Sequence, residues 1–255
     1  MKTAIFITVR TGSKRLPNKA LLEIQSIPTI VHLIRRMKKV QVDQIVLCTT
    51  LLKDDDILCD IASNEGIVFF RGSTKDKLDR WKGAAAKFGI EFFITADGDD
   101  LFCSLELIRL AINQYSLTKP DFIDHPDVIC GAFTYGIKVE ALNKVCDIKN
   151  SEDTEMMWTY FKDTGLFEVQ TLRNVPLSFI RSDIRMTLDY KDDLVFFQKI
   201  IDHFFENENI DYTLDDIISY LDENPEIIKI NSYLHEEWKR NQIMKTHLSL
   251  KANIN

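Results

Sequence analysis

Ile5-Phe6-Ile7-Thr8-Val9, followed by Arg10-Thr11-Gly12-Ser13-Lys14-Arg15-Leu16-Pro17-Asn18-Lys19, is the stretch on which the reading of this chain turns. The first five residues are apolar or β-branched and read as a buried strand. The strand stops at a loop of one glycine, small hydroxyl residues and cations, a composition that suits a polyphosphate. Gly12 lets the backbone approach a ligand closely and adopt unusual dihedrals. Backbone N–H groups of such a loop can cup phosphate oxygens, and Arg10, Lys14, Arg15 and Lys19 can neutralise them. Pro17 stiffens the exit. The plainer alternative is a basic surface turn. The loop is not the Walker pattern, which needs Gly-x-x-x-x-Gly-Lys-(Ser/Thr), and a single glycine cannot supply a dinucleotide fingerprint.

Outward from this stretch the chain alternates. Ala20 to Ile24 is a short apolar link. Pro28 can open a helix that carries Ile30, Val31, Leu33, Ile34 and Met37 on one face, with Arg35, Arg36, Lys38 and Lys39 outward as a solvated face. Gln44 to Thr49 reads as a strand ending in Thr49-Thr50. Lys53 to Asn64 reads as a helix whose Asp54, Asp55 and Asp56 complement the dipole at its start, with Gly66 closing it. Ile67 to Phe70 is a strand before Arg71-Gly72-Ser73, Thr74 to Phe88 a helix ended by Gly89, Glu91 to Ala96 a strand before Asp97-Gly98-Asp99-Asp100, and Leu105 to Leu117 a helix. Such alternation implies βαβ units, right-handed crossovers and a mostly parallel sheet. Ligands of these sheets sit beyond the carboxyl ends of the strands, and four polar strand ends can converge there.

The second half is less regular. Lys119 to Cys130 reads as a loop, Gly131 to Gly136 as a strand, Val139 to Cys146 and Asp153 to Asp163 as helices, and Leu166 to Leu172 as a strand. Arg185 to Asp189 reads as a short strand ending in an acid, before a periodic helix over Tyr190 to Glu206 and another over Thr213 to Leu221 with Thr213 as cap. The tail after His235 is polar and is expected to fray. With no repeat or linker, the expectation is one α/β domain, Rossmann-like, over residues 1–233, with a polar C-terminal tail over 234–255.

The totals narrow the function classes. The 255 residues are 45% hydrophobic, enough for a sizeable core. Lys+Arg 32 against Asp+Glu 39 leaves a net charge of −7, which argues against a general nucleic-acid binder. Five scattered cysteines without a C-x-x-C pair read as reduced thiols of a cytoplasmic protein. No signal peptide is read at the start, and no apolar run approaches the ~20 residues of a membrane span. The five histidines join no serine or cysteine motif, so no hydrolase triad is read.

Asp97, Asp99 and Asp100 at a strand end, beside a phosphate loop, invite Mg²⁺, a hard cation that bridges carboxylates to substrate phosphates. The plainer alternative is an acidic turn. Asp79 and Arg80 could pair on a helix surface, and Trp81 reads as core.

Gly12, Ser13, Arg15, Leu16, Pro17 and Lys19 resemble the signature loop of sugar-nucleotide nucleotidyltransferases, Gly-x-(Ser/Thr)-x-Arg-(Leu/Ile/Met)-Pro-x-Lys. Arg10 makes the likeness closest to the cytidylyltransferase branch, the spore-coat-polysaccharide F-like and the 3-deoxy-manno-octulosonate and acylneuraminate enzymes. Gly98-Asp99 resembles that family's Gly-Asp-x-Pro-Leu without its proline. Arg185-Met186-Thr187-Leu188-Asp189-Tyr190-Lys191-Asp192-Asp193-Leu194 resembles Arg-Leu-Thr-Leu-Asp-Thr-Pro-Glu-Asp-Leu. Arg71-Gly72-Ser73 with Leu78-Asp79-Arg80 resembles the patch that borders the nucleotide. The likeness covers roughly residues 1 to 205.

The resemblance implies a Mg²⁺-dependent cytidylyltransferase that transfers CMP from CTP to an anionic small-molecule acceptor, releasing pyrophosphate, in surface-polysaccharide or glycoconjugate synthesis. Arg10, Arg15 and Lys19 would be catalytic. Val9, Arg10, Gly12, Ser13, Lys14, Arg71, Ser73 and Arg80 would bind the nucleotide. Asp99 and Asp189 would hold the metal, with Asp97 as substitute. Relatives often carry acids in the segment matching Gly131 to Gly136, and this chain has Tyr135 there, so the acceptor does not carry over. A homodimer stays open, as do a glycosyltransferase using Asp97-Gly98-Asp99 and an inactive nucleotide binder.

Overall fold

The computed structural model describes residues 1–209 and 211–252; the last three residues of the expected tail lie outside the described ones. In chain order the elements are β1 Thr3–Thr8, β2 Glu23–Ile24, β3 Ile27–Pro28, α1 Thr29–Met37, β4 Gln44–Thr50, α2 Asp56–Asn64, β5 Val68–Gly72, α3 Lys77–Phe88, β6 Phe92–Asp97 and α4 Leu105–Thr118. They continue with β7 Phe122–Asp124, β8 Gly136–Lys138, α5 Val139–Ile148, α6 Trp158–Lys162, β9 Val169–Thr171, α7 Lys191–Glu206, α8 Leu214–Glu223, α9 Pro225–Ile228 and α10 His235–Lys245.

A seven-stranded sheet has the order β5-β4-β1-β6-β8-β7-β9. The pairs of β1 with β4 and β6, of β4 with β5, and of β7 with β9 are parallel, and β8 alone runs against its neighbours β6 and β7. The chain winds outward from β1 through β4 to β5, then returns to β6 on the other side of β1. The carboxyl ends of β1 and β6 therefore form a topological switch point, where open α/β sheets bind ligands.

The alternation of β1 decides the two layers. Ile5 and Ile7 point into a core shared with α1, α2, α4 and α7. Ala4 and Phe6 point into the other core, shared with α3, α5 and α6. There Phe6 stacks on Phe93 at 4.3 Å between ring centroids.

Several expectations are corrected. Lys119 to Cys130 contains β7, a strand too short to show a period between Pro120 and Pro126. The strand expected over Gly131 to Gly136 begins only at Gly136. The helix expected from Asp153 starts at Trp158. Arg185 to Asp189 is not a ladder strand: the Met186 N–H donates to the Cys130 carbonyl and the Leu188 N–H to the Asp99 carbonyl, so it bridges two segments. Pro28 precedes α1 as its cap, after a two-strand hairpin turned by Gln25 and Ser26, both at positive φ. Arg36 is buried, not solvated; it donates to the carbonyls of Cys103 and Tyr212 and lies over the Tyr212 ring.

The cysteines are free thiols. Among the described residues no helix is long and apolar enough to cross a membrane. The segment set apart as a tail holds α10, and beyond it Leu250 forms an antiparallel bridge with Lys149.

Candidate active site at the carboxyl edge of the sheet

Three segments far apart in sequence meet at the switch point. Lys19 closes the signature loop, and its ammonium lies 2.5 Å from Asp99 Oδ2 and 2.9 Å from Asp189 Oδ1. Arg15 reaches the same Asp189 oxygen at 2.6 Å and lies over the Tyr190 ring, 5.2 Å from its centroid. The two candidate metal-binding carboxylates thus share one cation. The Leu188–Asp99 main-chain bond sets their spacing.

Asp189 is held by a buried scaffold. Asp193, in the first turn of α7, accepts the N–H groups of Asp189 at 2.8 Å and Tyr190 at 2.9 Å. Arg185 donates to Asp193 at 3.0 Å and approaches Asp189 at 3.5 Å. Trp238 of α10 covers the Arg185 guanidinium. Asp193 therefore positions the segment that carries Asp189.

The electrostatics follow from burial and pairing. Burial pushes the Asp189 carboxyl up, but Lys19 and Arg15 outweigh it and hold the group below the usual carboxylate range. Burial likewise opposes the charge on Lys19, yet Asp99 and Asp189 keep it firmly protonated. Asp99 sits above its ordinary value through burial and the neighbouring acids, against the pull of Lys19. Asp100 is pushed further up by burial and then by Asp99 and Asp97, which favours its neutral form. The sequence offered no way to separate Asp100 from its neighbours. Here it is buried beside Gly131 and faces Thr187.

The remaining candidates divide. Asp97 pairs with Lys77 at 3.0 Å and not with Lys19. Arg10 donates to the Thr74 carbonyl and pairs with Glu155 at 3.2 Å. Lys14 is exposed on the loop. Gly12 needs no special dihedral, since its φ is not positive, and a Cβ there would meet nothing within 4 Å. The left-handed residue of the loop is Asn18, at φ 54°. Val9 packs against Gly98, where a Cβ would come within 2.7 Å of the valine, and its N–H is used by the Cys48 carbonyl.

Arg71 is paired elsewhere than with Asp99 or Asp189. Its three guanidinium nitrogens hold the Thr50 and Leu52 carbonyls and Asp56. The Ser73 hydroxyl accepts the Asp76 N–H, and the Ser73 carbonyl accepts from buried Arg80 at 2.6 Å. Arg80 is thus no surface partner of Asp79.

Asp55 was missed as a site residue. It accepts the Thr11 N–H at 2.8 Å and the Thr11 hydroxyl at 2.7 Å, together with the Thr50 hydroxyl, and so fastens the signature loop to β4. Three consecutive aspartates at a helix start gave no sign of which one would turn inward.

Among the described residues no group of three or more His, Cys, Asp or Glu side chains is gathered to hold a metal. The pair Asp99 and Asp189 still fits Mg²⁺, which binds through one or two carboxylates plus phosphates and water.

The cytidylyltransferase family model matches residues 4–238, and the chain belongs to that family. It is 31% identical over 240 residues to an uncharacterised protein of Methanocaldococcus jannaschii, covering 93% of this chain and 97% of that one. It is 28% identical over 231 residues to the Bacillus subtilis spore coat polysaccharide biosynthesis protein SpsF, covering 86% and 94%. Among solved structures, a cytidylyltransferase from Leptospira borgpetersenii serovar Hardjo-bovis superimposes with a TM-score of 0.80 at 24% identity, over 89% and 97% of the two chains. A CMP:2-keto-3-deoxy-manno-octonic acid synthetase complexed with CTP superimposes with a TM-score of 0.61 at 16% identity, over 80% and 99%.

Proposed function

We propose that this protein transfers CMP from CTP to an anionic sugar or phosphorylated metabolite and releases pyrophosphate, in the synthesis of a surface polysaccharide or other glycoconjugate. The observation that carries this reading is the bridge of Lys19 between Asp99 and Asp189 at the switch point of a cytidylyltransferase fold. The relative SpsF is named for polysaccharide synthesis, and a structural neighbour is complexed with CTP.

In the proposed reaction an acceptor oxygen attacks the α-phosphorus, the bond from that phosphorus to the bridging oxygen breaks, and pyrophosphate departs with the electron pair. Such chemistry asks mainly for positioning and charge stabilisation. Lys19, Arg15 and Arg10 balance the charge of the triphosphate and of the departing pyrophosphate. Asp99 and Asp189 would hold Mg²⁺, which supplies Lewis-acid polarisation of the α-phosphate. An acceptor already anionic needs no general base. A glycosyltransferase Asp-x-Asp site is less well supported, because Asp97 and Asp99 turn to different partners, Lys77 and Lys19.

The test is pyrophosphate release with Mg²⁺, each of the four nucleoside triphosphates, and a panel of sugar phosphates, 3-deoxy-ulosonic acids and phosphonates. Release from CTP with one class of anionic acceptor is expected. Absence of release from CTP with every acceptor, alongside turnover of a nucleotide sugar, overturns it.

A further inference from the structure

Lys77 is the first residue of α3, where the positive end of the helix dipole opposes a cation. Its side chain nevertheless stays in, only 14% exposed. The ammonium is 3.0 Å from Asp97 Oδ1 and 5.0 Å from the centroid of the Trp81 ring. Trp81 is fully buried, and its indole N–H donates to the Thr8 hydroxyl at 2.8 Å. Thr8 and Asp97 are register partners at the ends of β1 and β6. The ammonium is therefore pinned at the switch point, over the layer that contains α3. The segments that carry Lys19 and Asp189 pack their Leu16, Ala20 and Leu188 into the opposite layer.

Two further cations close on the same connection. Arg10 donates to the Thr74 carbonyl and Arg80 to the Ser73 carbonyl. Arg80 is nine-tenths buried, and among the described residues its Nε has no hydrogen-bond partner. Against these three cations stand Asp97 and Glu155, with Asp55 also acting on Arg80. What the cluster offers an anion is a set of N–H donors already fixed in place.

We propose that Lys77 is a further phosphate-binding residue: a built-in cation, fixed by Asp97 and Trp81, that meets a non-bridging oxygen of the nucleoside triphosphate from the face opposite Lys19. Asp97 then serves as the anchor of this ammonium and not as a metal ligand. The inference rests on the reading that the crevice takes a nucleoside triphosphate. An ammonium held in place by Asp97 and Trp81 is a preorganised N–H donor for that non-bridging oxygen, available without a metal and without reorganisation at the moment of reaction.

The test is calorimetric titration of the wild type, Lys77→Met, Lys77→Gln and Lys77→Arg with inorganic tripolyphosphate, CTP and CMP, each with Mg²⁺ and with EDTA. Both neutral variants are expected to bind tripolyphosphate and CTP about tenfold or more weakly, in either condition, as loss of a charge-assisted contact implies. Lys77→Arg should recover most of the affinity, and the ligand-free melting temperature should not track the affinities. Neutral variants that bind within about twofold of wild type, with only the melting temperature lowered, overturn the proposal, as does a wild type that binds neither ligand. A wild type that binds tripolyphosphate but prefers another triphosphate to CTP overturns the cytidylyl reading alone, and the comparison of Lys77 variants then decides this inference with tripolyphosphate.

Discussion

Lys19 occupies the point where the two candidate metal-binding carboxylates meet, so its charge does two jobs. It pairs with Asp99 and Asp189 in this structure, and in the proposed reaction it would serve the phosphate once those carboxylates held Mg²⁺. Lys19→Ala and Arg15→Ala should each lower kcat/KM by about 10- to 100-fold, the equivalent of a charge-assisted contact worth ~1.5–3 kcal/mol. Circular dichroism should stay that of the wild type, and kinetics unchanged in either variant would remove the loop from the reaction. Asp55 acts on the same loop from outside the chemistry. Burial disfavours its charge, but hydrogen bonds from Thr11 and Thr50 outweigh that and depress its pKa. A depressed carboxyl contributes stability above its unfolded value, about 3.9, and loses it as pH falls through the folded value. Asp55→Asn should therefore melt below the wild type at pH 7, with the gap closing below about pH 4 as the wild-type carboxyl protonates. A gap that is constant from pH 7 to pH 3 would show that the charge is not what holds the loop.

At the scale of elements, the start of α3 is a junction. Asp76 caps the helix by accepting the Asp79 N–H at 3.0 Å, and it also binds the Thr154 hydroxyl at 2.9 Å and the Lys149 ammonium. It ties the chain beyond α5 to the helix that carries Lys77 and Arg80. Asp76→Ala should cost about 0.5–2 kcal/mol for the cap alone, or roughly 1–8 °C in a chain of this size. A differential scan measures it, and an unchanged melting temperature would show the junction to be dispensable. Gly131 does the corresponding work on the other side of the crevice. At φ +88° it lets Cys130 accept the Met186 N–H, and a Cβ would stand 1.9 Å from the Met186 carbonyl oxygen, a backbone atom with no room to move. Gly131→Ala should destabilise by about 1–3 kcal/mol and shift the segment that carries Asp189. Wild-type stability with wild-type turnover would contradict that.

Over the whole molecule, the winding of the sheet matters most. Because β1 lies between β4 and β6, the loops after β1 and β6 open toward each other, and the segment before α7 brings Asp189 to the same edge. A triphosphate bound there should stabilise the entire fold by mass action. At one hundred times Kd the gain is about 2.7 kcal/mol, or roughly 5–10 °C. With Mg²⁺ the shift should be largest for CTP, because a pocket that accepts hydrogen bonds from the cytosine amine leaves its acceptors unsatisfied with UTP. Equal shifts for all four triphosphates would remove the cytosine preference.

The sequence by itself determined the strand-loop-helix alternation, a mostly parallel main sheet and the strand ends where the candidate site lies, because those depend on local periodicity and on punctuation by Gly, Pro and Asp. It also marked Arg15, Lys19, Asp99 and Asp189, through the signature loop and its distant counterpart around Asp189. Tertiary structure alone decided which charges face which. Asp55 and Arg36 look like their solvated neighbours in sequence, and each turns inward because a specific partner, Thr11 or the Cys103 carbonyl, waits there. Short strands such as β7 exist only because neighbouring strands complete their hydrogen bonds. The split of Asp97 toward Lys77 and of Asp99 toward Lys19 was likewise not legible, since the partners come from opposite faces of the sheet and burial sets which carboxylate can reach which ammonium.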